Sequence, residues 1–593
     1  MYKAGSVEWR QFGAAHATVN DQMNSPMQPA SHQSEQLRTG ILPDGWSMAA
    51  LLIAFFAGLP IAAIVMAAPS GGFEAIAHLA QTVLPDYARN TALLMGLAGA
   101  IAAIIGTGCA WLIAATRFPG RTIMAWALVL PLAVPAYIAA YIYADLLDFS
   151  GPVQSGLRAV TGWQVNQYTF PQIRSLPGGA FVLGFVLYPY VYLLARAAFA
   201  AQSARQFAAA RSLGAGPVRA FWRVALPTAR PAIAGGLALV LMEVLADFGV
   251  AEYFAIPTFS TGIFRSWLAM GDKQAALKLA AVMLVFVIAL VVWEARSRTG
   301  RTASKDGLAA RDDGPMVTLT PWGQGLALLA CAVPVILGFG VPVAHLGWLA
   351  MGDLATADMV GPGTGAVIDT PVRAGDLWGY IGGSLYLGLA AAVLCAVTAL
   401  VLAFAKTRSD NRAVRAAIRV STLGYALPGA LLAVGLLAPL GALDIALTRT
   451  LRDVVGYSGG LVLTGTSVVL IYALGVRFLT VAYNSVDGGM NAIPPSLDAA
   501  ARSLGARPVR VLRQIYAPLL SPSLAAAAAL VFIDTLRELP ATLILRPFNL
   551  ETLATRTYRL ASDERLAEAS IPALILLAAG LLPVLLLTRA GKR

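Results

Sequence analysis

Ala209-Ala210-Arg211-Ser212-Leu213-Gly214-Ala215, continued by Pro217-Val218-Arg219 and closed by Pro227, returns as Ala500-Ala501-Arg502-Ser503-Leu504-Gly505-Ala506, continued by Pro508-Val509-Arg510 and closed by Pro518. The spacing is constant: 505 − 214 and 518 − 227 both give 291. Both copies are polar and basic, and both lie between long apolar runs. A fixed offset of this length reads as tandem duplication. A repeated basic loop between apolar runs reads as a docking element on the cytosolic side of a membrane.

The composition agrees. Of 593 residues, 58% are hydrophobic and 12% charged, with mean hydropathy +0.69. A soluble domain carries roughly twice that charged fraction. Many apolar runs reach about 20 residues, enough to cross a bilayer as a helix. The net charge of +12 sits in short loops on one side, so it is read as topology and not as affinity for nucleic acid. Cys109, Cys331 and Cys395 lie in apolar segments without metal or pairing spacing and read as core filler. His16, His32, His78 and His345 are scattered and give no metal site. No Gly-x4-Gly-Lys-Ser/Thr occurs, so no P-loop ATPase site is expected, and no nucleophile–base constellation stands out. The chain is expected to be no enzyme and to bind no cofactor itself.

Taken in order, residues 1–45 are polar and aperiodic, and a disordered cytosolic tail is expected there. They lack the pattern of a cleaved signal. Spans are expected near 47–67, 91–115, 123–145, 179–196, 231–250 and 276–294, making a first half over 46–294. Pro131 and Pro135 predict a break in the third. A basic linker follows at 295–318. The second half, 319–593, is expected to span near 322–345, 380–405, 417–440, 461–484, 520–541 and 570–588. Six plus six spans put both termini in the cytoplasm. The repeat also pairs Pro231 with Pro522, Glu243 with Asp534, Asp247 with Glu538, Thr261 with Thr552 and Arg265 with Arg556.

In each copy of the loop an Ala-rich helix ends at Gly, as helices do. Pro217 or Pro508 then suits the first turn of a second helix, which Pro227 or Pro518 is expected to end. The result is a helix–turn–helix on the cytosolic face, with an apolar stripe flanked by arginines.

These residues resemble the "EAA…G…P" signature loop of binding-protein-dependent ABC-transporter permeases. The fused two-half arrangement resembles the ferric-iron permeases among them, as do Ile493-Pro494-Pro495-Ser496-Leu497-Asp498 and the run Asp534-Thr535-Leu536-Arg537-Glu538-Leu539-Pro540-Ala541-Thr542. The resemblance covers the chain from about residue 46 onward. It implies an all-α polytopic membrane protein with twelve transmembrane helices in two tandem, pseudo-symmetric six-helix halves, the type I ABC importer permease fold. It also implies an inner-membrane location in a bacterium, a periplasmic solute-binding protein, and two copies of a P-loop ATPase subunit that carry the ATP. The docking residues would be Ala209, Ala210, Arg211, Gly214, Pro217 and Arg219, with Ala500, Ala501, Arg502, Gly505, Pro508 and Arg510. One departure stands out. The family's loop opens with Glu, and here those positions are Ala208 and Ala499, with Asp498 one residue early in the second copy and Phe207 in the first. The usual acidic contact is expected to be weakened or replaced.

Charge inside apolar spans is costly. Glu243 with Asp247 and Asp534 with Glu538 are each four apart and share a helix face. They are candidates for a translocation pathway suited to a hard cation, since such cations prefer oxygen ligands. The alternative is a static network in which Arg537 pairs with one of them. Tyr137, Tyr141, Tyr143, Tyr188, Tyr190 and Tyr192 are read as interfacial anchors, with guidance of an oxygen-loving cation as the other reading. Gly361-Pro362-Gly363-Thr364-Gly365 reads as an external loop. Iron(III) is the expected cargo; thiamine, a polyamine or another small solute, including an oxyanion, would keep the machine and change the load. A gradient-driven secondary transporter and a non-transporting membrane anchor or sensor are the readings from other classes. The repeated Gly-Pro loop argues against both.

Overall fold

The computed structural model describes residues 45–68, 81–164, 167–201, 212, 216–298, 317, 319–359, 374–409 and 411–590. The expected tail (apart from Gly45), most of the linker and the 361–365 run lie outside these residues.

Lipid offers no hydrogen-bond partners, so apolar segments of this length fold as helices that satisfy their own backbone. The first half consists of α1 (Gly45–Ala67), α2 (Leu84–Ala115), α3 (Arg121–Ala127), α4 (Ala136–Leu147), α5 (Pro152–Thr161), α6 (Leu176–Ala201), α7 (Val218–Ala246), α8 (Gly249–Tyr253), α9 (Phe259–Phe264) and α10 (Lys273–Arg298). The second consists of α11 (Pro321–Gly352), α12 (Ala374–Arg408), α13 (Arg412–Ser421), α14 (Gly429–Val455), α15 (Val468–Met490), α16 (Pro495–Ser503), α17 (Pro508–Leu519), α18 (Ser521–Arg537), α19 (Pro540–Leu545), α20 (Leu553–Ser562) and α21 (Leu566–Ala590). Among the described residues, nine helices are long and apolar enough to cross a membrane, and two helix pairs do so across a sharp bend. With the 25-residue α21 they correspond to the twelve expected spans. No strand occurs among the described residues; the one bridge pairs Thr116 with Val317.

The third span breaks as Pro131 and Pro135 predict, with a bend of 91°. The ninth does not follow its expected course over 417–440. Arg412–Ser421 is a separate helix, with Val414, Ala417 and Ile418 buried, and the span begins at Gly429. Between them the backbone at Gly424 passes so close to Val476 that a side chain there would strike its carbonyl. Pro227 and Pro518 do not end their helices either. Each follows a π-turn, Phe221–Ala225 and Leu512–Tyr516, again 291 apart. A proline lacks an N–H and crowds the carbonyl four residues back, and the widened turn accommodates both. In the first half the helix then runs on to Ala246; in the second it bends by 74° after Leu519.

Helices of one half pack through small residues, which let backbones approach. A Cβ at Gly106 of α2 would meet the Tyr188 carbonyl of α6 at 2.8 Å, and one at Gly475 of α15 would meet Leu394 of α12 at 2.8 Å. The first helix of each half, by contrast, crosses to the other half. Besides α10 of its own half, α1 packs on α12, α13 and α14, and besides α21 of its own half, α11 packs on α2, α3, α4 and α6.

Prolines make these crossings specific. Pro60 leaves the Phe56 carbonyl of α1 without its helical donor, and the Tyr472 hydroxyl of α15 donates to it at 2.5 Å. In the π-turn of α11 the Leu337 carbonyl would be served by residue 342, a proline, and the Tyr143 hydroxyl of α4 donates to it at 2.5 Å. Pro334 likewise frees the Ala330 carbonyl, which takes the Cys109 thiol at 3.6 Å. Side chains of one half thus satisfy backbone that proline exposes in the other.

Candidate functional site

Each half carries a helix break at the same place in its repeat. Asp247 closes α7 before α8, and Glu538 closes α18 before α19. A break leaves N–H groups at the next helix start without acceptors, and a carboxylate satisfies them. Asp247 Oδ2 accepts from Ala251 N at 3.1 Å. Glu538 accepts from Ala541 N and Thr542 N, both at 3.0 Å, and from the Thr542 hydroxyl at 2.9 Å.

The two breaks meet at a cavity of about 160 Å³, lined by all four acids together with Tyr137, Tyr190, Tyr425, Arg477 and Arg537. Their electrostatics differ sharply between halves. Arg537 Nη2 lies 2.6 Å from Asp534 Oδ1, and its Nη1 donates to the Leu132 carbonyl of the other half, in a turn where Pro135 offers no N–H. Arg477 Nη1 lies 3.1 Å from Glu538 Oε1. The positions matching Arg477 and Arg537 in the first half are Val186 and Ala246. Among the described residues no Lys or Arg comes within ion-pair distance of Glu243 or Asp247; Glu243 accepts from the Tyr425 hydroxyl at 3.1 Å. The second half therefore neutralises its own acids, and the first half presents carboxylates that form no ion pair among the described residues.

The sequence matches the four acids across the repeat, leaning to a static role for Glu538 with Arg537 and leaving Glu243 and Asp534 open, and the structure lines one cavity with all four. The static network involving Arg537 does form, and it absorbs Asp534; Glu538 is absorbed by Arg477, which the repeat does not flag. The usable signal is a break in the symmetry: Arg477 answers Val186, Tyr425 answers Val134 and Tyr190 answers Val481. Polar groups in a span whose counterparts are apolar mark where the halves diverge. The tyrosines also differ from their interfacial reading. Tyr137, Tyr141, Tyr143, Tyr188 and Tyr192 are all buried. Thr261 and Thr552 are not structural equivalents. The capping boxes pair Thr258 with Thr261 and Thr552 with Thr555, so the offset has slipped to 294 and matches Arg265 with Arg559; each pairs with an acid, Glu252 (3.2 Å) and Glu551 (2.7 Å), though these acids are not at that offset.

Of the first docking loop, Ala209, Ala210, Arg211 and Gly214 lie outside the described residues. Pro217 opens the second helix as expected, and Arg219, Val218 and Trp222 are exposed. The second copy shows the whole element. α16 ends at Gly505, whose φ of 73° suits glycine, and Ala506 N bonds back to Ala501 O at 3.1 Å. Pro508 opens α17. Ala500, Arg502, Arg510 and the apolar Leu504 and Val509 face outward, whereas Ala501 is buried and serves packing. Asp498 pairs with Arg502 at 3.1 Å and approaches Arg408 at 3.8 Å. Its charge is met within the chain, and Ala499 is exposed where the signature has Glu.

Comparison with known proteins gives this geometry its context. The family described as "binding-protein-dependent transport system inner membrane component" matches twice, over residues 102–293 and 396–592. The chain is similar to a protein of Haemophilus influenzae named "Fe(3+)-transport system permease protein FbpB 2", 26% identical over 92% of this chain and 98% of that one. A half-length relative of Haloferax volcanii, a "probable molybdenum ABC transporter permease protein", is 28% identical over 43% of this chain and 95% of its own. A "sulfate transport system permease protein CysT" of Synechocystis is 28% identical over 44% of this chain and 91% of its own. Such permeases work with a periplasmic binding protein and a separate ATPase, and are not themselves enzymes. With the family matched once in each half of an all-helical, multi-span fold, the chain belongs to the inner-membrane permease components of binding-protein-dependent ABC transport systems.

Proposed function

We propose that this chain passes iron(III) from a periplasmic binding protein to the cytoplasm. Two copies of a P-loop ATPase subunit dock on the loops around Gly214 and Gly505 and carry the ATP, and the chain needs no cofactor of its own. Both termini lie in the cytoplasm, the side on which the basic repeated loops are retained.

The observation that carries the cargo reading is the charge imbalance of the cavity. Both arginines are tied to second-half acids, while among the described residues no Lys or Arg lies within ion-pair distance of Glu243 or Asp247. Such a cavity favours a hard cation with a preference for oxygen. Its volume of about 160 Å³ is below the roughly 300–1,000 Å³ usual for organic ligands, which weighs against thiamine and polyamines. An oxyanion such as the sulfate named for the Synechocystis relative would need an uncommitted guanidinium. The name borne by the FbpB 2 relative, which aligns over nearly its whole length, points the same way.

In proteoliposomes holding the chain, its ATPase and its binding protein, ATP should drive uptake of radioactive iron(III) but not of sulfate or molybdate. ATP-driven uptake of either oxyanion, with none of iron, would overturn this assignment.

A further inference from the structure

Five buried hydroxyls have no hydrogen-bond partner among the described residues, those of Tyr137, Tyr141, Tyr188, Thr448 and Thr535, and the first two stand together on α4. Both residues are buried, only 5% and 2% exposed. A buried polar group without a partner is costly, and phenylalanine would fill the same space without that cost. The hydroxyls therefore call for an occupant. Their placement indicates which. Tyr137 lines the cavity that holds Glu243 and Asp247, facing Arg537 and Glu538. Tyr141 lies one helical turn further from the repeated loops, its ring centroid 5.9 Å from that of Tyr137. Beyond it, Tyr253 of the first half stands 4.3 Å away and Tyr558 of the second 6.5 Å away. The Arg174 guanidinium, in the loop between α5 and α6, covers Tyr253 at 4.9 Å. The column of phenols thus runs along the seam between the halves, from the cavity toward the end opposite the docking loops.

Resting on the cation reading of the cavity, we propose that Tyr137 and Tyr141 form a phenolic subsite that takes the trivalent cation on its way to the Glu243–Asp247 carboxylates. Phenolate oxygen is a hard donor and matches the ligand preference of such a cation. A bound cation favours the deprotonated form of its ligands. On binding, the phenol O–H bond breaks as an Fe–O bond forms. No electron is transferred, and the proton is taken by the chelator carboxylate that the cation leaves.

Iron bound to phenolate absorbs visible light by charge transfer, and carboxylate-bound iron does not share that band. The full chain in lipid nanodiscs is titrated with iron(III) nitrilotriacetate, with retained iron measured by elemental analysis. Wild type should retain iron and show the band. Tyr137→Phe/Tyr141→Phe should lose the band and lower ATP-driven uptake at least tenfold. Tyr188→Phe should change neither; its hydroxyl is also buried and unpartnered but lies beside Tyr192, Cys109 and Cys331, and Tyr188 does not line the cavity. Iron retained in a Glu243-dependent way without the band, or with a band that survives the double change, overturns the phenolic subsite and leaves the cation reading standing. No iron retained by wild type overturns both.

Discussion

Arg477 Nη1 lies 3.1 Å from Glu538 Oε1, whereas the first-half counterpart of Arg477 is Val186, so the matching acid, Asp247, has no such partner. Duplication has kept the helix break and its capping carboxylate in both halves, and the second half has added a counter-charge. Under the proposed function, the second half would brace the cavity while the first would meet the cargo.

The side chains of Arg477 and Glu538 are 12% and 1% exposed. Removing one partner of a buried pair strands the other charge, at a cost of about 3–5 kcal/mol. Arg477→Met should therefore lower the melting temperature of the purified protein markedly. Adding Glu538→Gln should restore part of it, because glutamine carries no charge and keeps an acceptor for one of the Ala541 and Thr542 amides, which bond to different oxygens. An unchanged melting curve for Arg477→Met would show the pair to be dispensable.

Gly429 abuts the same pair. A Cβ there would come within 2.6 Å of Arg477 Nη1 and nearer still to Glu538 Oε1. Gly429→Ala should destabilise by about 1–3 kcal/mol. Its effect should shrink when Arg477→Met is already present, since contacting residues are not additive. Full additivity would mean that the glycine acts elsewhere.

The proline-freed carbonyls give a cleaner cycle. Tyr472→Phe should cost about 1–3 kcal/mol, the penalty of leaving an outward-facing carbonyl of a membrane span without a donor. In a Pro60→Ala background the Phe56 carbonyl regains its helical donor, and the same change should cost far less. Equal costs in both backgrounds would contradict the account of how α1 is held on the second half.

Much of this was legible from sequence. Constant spacing of Gly214 with Gly505 and Pro227 with Pro518 divides the chain into halves, and Pro131 with Pro135 marks the third-span break. The Gly-then-Pro order around Gly505 and Pro508 predicts the helix–turn–helix, because each residue acts on its own backbone. What escaped depends on contacts distant in sequence. Nothing local in α1 or α11 says that they cross to the opposite half. Tyr472 and Phe56 are 416 residues apart. The pairing of Arg477 with Glu538 joins two spans, and the tyrosines that look like interfacial anchors are drawn inward by packing between helices.

The second docking loop exposes Leu504 and Val509, 87% and 64% accessible, beside Arg502 and Arg510. An exposed apolar patch rimmed by charge marks a protein interface. Leu504→Asp and Arg510→Glu should each reduce co-purification of the ATPase at least tenfold while the chain stays in the membrane. Gly505→Val should do the same by straining the positive φ. Undiminished retention would place docking elsewhere.

The unequal cavity is tested most directly by uptake. ATP-driven entry of radioactive iron(III) into proteoliposomes containing the full transport system is compared for Glu243→Gln and Asp534→Asn, with ATPase retention checked in both. The account predicts at least a tenfold loss for Glu243→Gln, and a smaller loss for Asp534→Asn that tracks reduced stability. Unimpaired uptake by Glu243→Gln, with the larger loss at Asp534→Asn, would contradict it.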